Sequence, residues 1–118
     1  MTVTVDYQTA HNILITQGTD AAQHPDSLLQ CLSQGKPPIP GQVTTILLAL
    51  KVLFEGLREA TQLDRELAAA LFILATQSRQ YFDAGDRAGI EWTPLLNDDL
   101  DRIARAVHSI FQGEWLES

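Results

Sequence analysis

The stretch from Gln34 to Thr45, QGKPPIPGQVTT, contains the residue types of a phosphate-binding loop: two glycines, a lysine and a pair of threonines. In such a loop, G-x-x-x-x-G-K-[ST], backbone N–H groups wrap the phosphates and the lysine reaches the outer ones. Here five residues rather than four separate Gly35 from Gly41, and Gln42 stands at the lysine position. Three of the enclosed residues are prolines, which have no backbone N–H to donate. The spacing and the residue types therefore exclude an intact phosphate loop.

A weaker site for an anion remains open at the same place. The free N–H groups at the start of a helix attract anions, and a helix that begins near Pro40 would present them close to a lysine. The residues of this predicted anion site are Lys36, Gly41, Gln42 and Thr44.

Residues 97–101, NDDLD, offer the oxygen ligands that divalent metals prefer. A calcium loop also requires ligands at alternate positions around a glycine and a closing glutamate, and this segment has neither. Helical spacing instead allows ion pairs one turn apart, Asp98 with Arg102 and Asp101 with Arg105. The three histidines lie in different segments without the spacing of paired ligands. The sequence predicts no metal site, no cofactor and no catalytic residue set.

The charge of the chain argues against a nucleic-acid partner. The formal net charge is −7, and the eight basic residues are scattered among 15 acidic ones. Such a surface repels a phosphate backbone.

Several features predict a cytoplasmic protein that does not enter a membrane. Cys31 is the one cysteine, so no disulfide can form within the chain. This is typical of a protein in a reducing compartment such as the cytosol. The N-terminal residues MTVTVDYQTA lack the pattern of a signal peptide. The most apolar stretch, residues 43–54, is shorter than the roughly 20 residues of a membrane span, and it contains Lys51.

Apolar residues recur at helical spacing almost throughout, which predicts an all-α fold. We expect one domain over residues 1–118, a compact bundle of about five helices. The short connection between the third and fourth helices predicts a central antiparallel hairpin. The predicted helices run over Tyr7–Gln17, Pro25–Gln34, Pro40–Ala60, Thr61 or Asp64 to Ala84, and Thr93–Pro94 to Gly113.

The apolar residues exceed what one buried face per helix requires. Leu48 and Val52 fall on the far side of the third helix, and Phe72 lies off the inner stripe of the fourth. The inner stripe of the fifth helix is predicted to end with Phe111. Two interpretations stay open: a central helix covered on several sides, or a subunit interface.

A family of small cyanobacterial proteins is similar to this chain along two stretches, GKPPIPGQVTTILLALKVLFEGLREA and LDRELAAALFILATQSRQYF. The resemblance implies an all-helical fold over most of the chain and no established activity. Some of these proteins carry the label dethiobiotin synthetase, but such synthetases are larger parallel α/β enzymes with an intact phosphate loop. Because this chain lacks the loop, the strands and the length, no catalytic residue is carried over.

The sequence therefore predicts a non-catalytic protein–protein interaction or adaptor protein that forms a homodimer through an apolar helix face and has an unidentified protein partner. Its anchors would be Leu48, Val52 and Phe72, with Trp115 as a contact from the tail. The alternative is a small-molecule or anion-binding protein, including an enzyme, that uses the helix start after the proline-rich loop. A third interpretation, an acidic regulator that docks on a basic partner, rests on net charge alone.

Overall fold

A computed structural model describes residues 5–116, and within this range the protein consists of five α-helices and one 3₁₀ turn, with no strand. The predicted all-α fold is therefore confirmed. In chain order the elements are α1 (Tyr7–Gln17), the 3₁₀ turn (Ala21–Gln23), α2 (Leu28–Ser33), α3 (Gln42–Gly56), α4 (Arg65–Arg87) and α5 (Leu96–Gln112).

The ends of α1 and the start of α4 lie where the sequence predicts them. The Asp6 carboxylate accepts a hydrogen bond from the backbone N–H of Thr9 at 2.7 Å, which caps α1. Hydrogen bonds from the backbone and side chain of Thr9 also lower the pKa of Asp6. At the other end Gly18 terminates the helix. For α4, the Asp64 carboxylate accepts from the backbone N–H of Leu67 at 3.2 Å, so Asp64 rather than Thr61 is the cap.

Three other helix starts differ from the prediction. The third helix begins at Gln42 rather than near Pro40, with Gly41 as its N-cap. The second helix begins three residues after Pro25, because the Ser27 hydroxyl accepts the N–H of Gln30 at 3.3 Å and forms the cap. The fifth begins at Leu96 after a turn, with no side-chain cap, so Thr93 does not serve as one. In all three cases a proline stands in the turn that precedes the helix.

The packing of the long helices defines a bundle. The extensively packed pairs are α1 with α3, α1 with α4, α5 with α3, and α5 with α4, while α2 packs on α4. Because α1 and α5 each contact both α3 and α4, these last two helices occupy opposite corners of the bundle. The packing therefore does not confirm the predicted central hairpin of α3 and α4. The connection 57–64 has eight residues and can span about 26 Å, enough to cross the bundle.

A continuous apolar core lies between these helices. It includes fully buried leucines and isoleucines from every long helix, among them Leu14, Leu50, Leu71 and Ile103. Helix α1 approaches α4 closely at Gly18, where a Cβ atom would lie 2.5 Å from the carbonyl oxygen of Ala70. A glycine at the end of α1 therefore sets the distance between these two helices.

Within residues 5–116, no helix combines the length and the hydrophobicity that crossing a bilayer requires.

Candidate functional site

The four residues of the predicted interface do not form one surface. Leu48 on α3 is 45% exposed and Phe72 on α4 is 63% exposed. Since α3 and α4 occupy opposite corners of the bundle, these two side chains face solvent on different sides. Val52 and Trp115 are half-buried and pack against the core. The prediction that Val52 lies on a free face is therefore wrong.

Trp115 docks on α3. Its ring lies 5.2 Å from the Phe54 ring in an edge-to-face arrangement, and the Lys51 ammonium lies 4.0 Å from its centroid. The chain reverses at Gly113, whose φ of 81° favours glycine. The backbone N–H of Leu116 then donates to the Ser109 hydroxyl at 2.8 Å. Trp115 is thus packed on the fold, with part of its side chain still exposed.

We expect Trp115→Ala to lower the free energy of unfolding by about 2 kcal/mol, because it removes the aromatic pair, the cation–π contact and part of the buried area. Urea unfolding followed by circular dichroism measures this loss. Glu114→Ala, at an exposed neighbouring position, is the control and should stay within about 0.5 kcal/mol of the wild type. Equal stability of both variants would contradict the docked tail.

Helices α4 and α5 pack antiparallel, as three side-chain contacts show. Near the end of α4, the indole N–H of Trp92 donates to the carbonyl oxygen of Phe82 at 2.9 Å. One turn earlier, the Arg79 guanidinium donates to the side chains of Asn97 at 2.7 Å and Asp101 at 2.8 Å. From Phe82 back to Arg79 in α4, the partners advance from Trp92, just before α5, to Asn97 and Asp101 within α5, so the two helices run antiparallel with Arg79 beside the first turns of α5.

This register places two exposed aromatic side chains along the same pair of helices. Phe72, about two turns before Arg79, lies beside the middle of α5. Phe111, 48% exposed in the last turn of α5, lies beside the first turns of α4. By helical spacing, Ala68 and Ala69 lie one turn before Phe72, and Ala104 lies two turns before Phe111. Ala68 and Ala69 are half-buried, and Ala104 is exposed. We call this surface the aromatic face; its residues are Ala68, Ala69, Phe72, Ala104 and Phe111.

Phe111 is the residue of this face that sequence reasoning missed. The pattern predicts it to point inward, but at 100° per residue it lies about 80° from the fully buried Ile103. At that angle Phe111 lies at the edge of the inner stripe of α5, and the neighbouring Ile110 occupies the buried position. Two adjacent apolar residues in the last turn of a helix are the signal that one of them faces outward.

A network of charges stiffens the border of the aromatic face. Arg79 bridges α4 to α5 through Asn97 and Asp101, and its guanidinium lies 5.0 Å from the Phe82 ring centroid. A longer contact of 3.8 Å joins Arg79 to Asp83. Asp101 thus pairs with Arg79 on the neighbouring helix rather than with Arg105.

The other predicted ion pair in α5 also differs. Arg102 lies 3.8 Å from Asp99, three residues before it, whereas Asp98 was the expected partner. Both acidic residues stand in the first turn of α5, where they suit the helix dipole.

The predicted anion site is not assembled. Gly41 adopts a φ of 83° and precedes α3, but the residues after it face two different depressions. Gln42 lines a cavity of about 450 Å³, whereas Thr44 lines a separate groove of about 360 Å³. Lys36 borders neither of them.

The side-chain amide of Gln42 already has two hydrogen-bond partners. Its side-chain amide donates to the carbonyl oxygen of Asp26 at 2.7 Å and accepts from the N–H of Ile39 at 3.3 Å. The cavity is also lined by Asp26, whose carboxylate disfavours an anion. Gln42 therefore serves to close the proline-rich loop onto the segment before α2.

Neither thiol chemistry nor a metal cluster is found in the part of the chain that the structure describes. Cys31 is buried, and burial followed by the charge of Asp26 raises the pKa of its thiol. A raised pKa leaves little thiolate for nucleophilic attack. Across residues 5–116, no three His, Cys, Asp or Glu side chains come close enough together to hold a metal ion.

Comparisons with protein-family models, with curated proteins and with solved structures gave no match. The resemblance to small cyanobacterial proteins therefore stays a prediction.

Proposed function

We propose that the chain is a cytoplasmic, non-catalytic protein–protein interaction or adaptor protein that binds through the aromatic face of α4 and α5. The observation that carries this proposal is the exposure of Phe72 and Phe111, 63% and 48%, on two helices whose packing is fixed by the Arg79 network. Aromatic anchors on rigid elements supply most of the binding energy in protein interfaces.

The energetics favour a covered state of this face. Burial of a phenylalanine side chain contributes about 1.5–3 kcal/mol relative to leaving it in water. Two such side chains flanked by alanines let a partner approach closely without the loss of much side-chain entropy. Leu48 also stays exposed, but polar residues at Thr44 and Glu55 flank it on the outer side of α3. It offers a single contact rather than a face.

The alternative, an anion-binding protein, has less support. Its residues are divided between two depressions, and Asp26 borders the larger one. We therefore place the function on the aromatic face.

A photo-crosslinking experiment tests this proposal. The photoreactive residue p-benzoylphenylalanine replaces Phe72, and in a matched control it replaces Leu48, at the opposite corner of the bundle. After irradiation in the native cell, we expect a crosslinked polypeptide from position 72 at a yield about tenfold higher than from position 48, because hot-spot positions are desolvated by the partner. Equal yields, or product from position 48 alone, would contradict the proposed function.

A further inference from the structure

Resting on that proposed function, we infer that the occupant of the aromatic face is a second copy of this chain, with α4 of one subunit antiparallel to α4 of the other about a two-fold axis. The inference comes from the charges at the two ends of α4. Arg65 and Asp83 are eighteen residues apart, which is five full turns of an α-helix. The two side chains therefore lie on one line along the helix, about 27 Å apart.

Phe72 lies close to that line, between the two charges. At 100° per residue, Phe72 and Thr76 each differ from the direction of Arg65 by about 20°. This line along α4 thus has Arg65 at one end, Phe72 near its centre and Asp83 at the other end, where Arg79 and Arg87 lie about 40° to either side of Asp83.

When two copies of α4 lie antiparallel, the Arg65 end of each helix meets the Asp83 end of the other. A two-fold axis near residue 74 sets Arg65 of each subunit against the partner's Asp83. The same axis sets Phe72 beside the partner's Thr76, and the small Ala69 opposite the partner's Arg79. Each contact occurs twice, so the interface contains two Arg–Asp pairs around a pair of phenylalanines.

The side chains of Arg65 and Asp83 are both free to form an ion pair with a second subunit. Arg65 makes no ion pair with any residue between 5 and 116. Asp83 is half exposed and lies 3.8 Å from Arg79, whose closer partner is Asp101 at 2.8 Å. Asp83 can therefore accept a hydrogen bond from a second arginine without breaking the contact that joins α4 to α5.

The size of the face is that of a stable dimer interface. Helix α4 has 23 residues and is about 34 Å long, and two adjacent helices are about 20 Å wide. Such a face buries roughly 700 Å² on each subunit, within the range of specific interfaces of about 1,200–2,000 Å² in total. Phe111 extends the apolar area onto α5.

Charge exchange tests the pairing. We expect the full-length protein to sediment as a dimer, and Arg65→Asp or Asp83→Arg alone to raise the dissociation constant at least tenfold, because each converts two attractions into two repulsions. The double variant, Arg65→Asp with Asp83→Arg, restores both pairs in reversed order and should return the dissociation constant to within about threefold of the wild type. Analytical ultracentrifugation over a concentration series gives these constants.

We expect these variants to fold, because both substitutions lie near the ends of α4. An aspartate in the first turn of α4 and an arginine in its last turns both suit the helix dipole. Circular dichroism confirms that each variant is helical, and Glu59→Arg, in the connection before α4, controls for the change in net charge.

Three outcomes overturn the second-copy inference: a monomeric wild type at the highest soluble concentration, single variants as dimeric as the wild type, or no recovery in the double variant. So does a crosslink from position 72 to a different polypeptide, which would still support the proposed function. Absence of any crosslink from position 72 contradicts the proposed function itself, so the two failures are distinguishable.

Discussion

Replacement of Gly18 by alanine is expected to lower the free energy of unfolding by about 3 kcal/mol, although it adds a single carbon atom. That atom would lie 2.5 Å from the carbonyl oxygen of Ala70, 2.7 Å from its Cα and 2.8 Å from its Cβ. Two of these three neighbours are backbone atoms of α4, which cannot rotate away. Relief therefore requires α1 to move from α4, and overpacking of this kind costs 1–3 kcal/mol or more.

Thermal unfolding measures this effect, and we expect the midpoint to fall by about 10 °C. Thr19→Ala is the matched control, because Thr19 is the exposed neighbour of Gly18 and its truncation leaves the helix contact intact. Its stability should remain within about 0.5 kcal/mol of the wild type. If Gly18→Ala were as stable as this control, α1 and α4 would not approach each other at this glycine.

Features that depend on a few neighbouring residues can be predicted from this sequence. The carboxylate of Asp6 predicts the start of α1, and Gly18 predicts its end. Each of these residues is directly adjacent to the helix end that it determines. For α4 the sequence offers Thr61 or Asp64 as the cap for the same reason, and the structure selects Asp64. The exposure of Phe72 follows from its angle to the inner stripe of α4.

Features that depend on distant residues could not be predicted in the same way. The position of α3 relative to α4 depends on α1 and α5, which pack between them, and not on the length of the connection 57–64. The docking of Trp115 depends on Lys51 and Phe54, about sixty residues earlier in the chain. Helical spacing contains no information on either contact.

The aromatic face also depends on residues that are distant in the sequence. Phe72 and Phe111 can be assigned to one surface after the antiparallel register of α4 and α5 is known, and the contacts of Arg79 reveal that register. In the sequence, Arg79 is one of eight scattered basic residues without a visible partner. Of the two phenylalanines, Phe72 could therefore be predicted to lie outside the core, whereas the exposure of Phe111 and the assignment of both to one face required the structure.

Leu71 and Phe72 are adjacent in the chain, but we expect truncation of Leu71 to lower the stability of the monomer far more than truncation of Phe72. Leu71 is fully buried in the core, whereas Phe72 is 63% exposed. Leu71→Ala leaves a cavity in the apolar core, so we expect the free energy of unfolding to fall by about 3–4 kcal/mol. Phe72→Ala removes a larger side chain, yet the folded monomer should lose no more than about 0.5 kcal/mol, because most of that side chain is already in water.

Urea unfolding at low protein concentration separates these effects from dimer formation, because association adds stability in proportion to the logarithm of protein concentration. Under these conditions Leu71→Ala should unfold at a much lower urea concentration than Phe72→Ala. At high concentration the difference should narrow, since Phe72→Ala alone loses the stabilisation that a second copy supplies while Leu71→Ala retains the anchor. A loss of stability in Phe72→Ala that is independent of concentration and comparable to that of Leu71→Ala would mean that Phe72 belongs to the core, and the aromatic face would then lose its central residue.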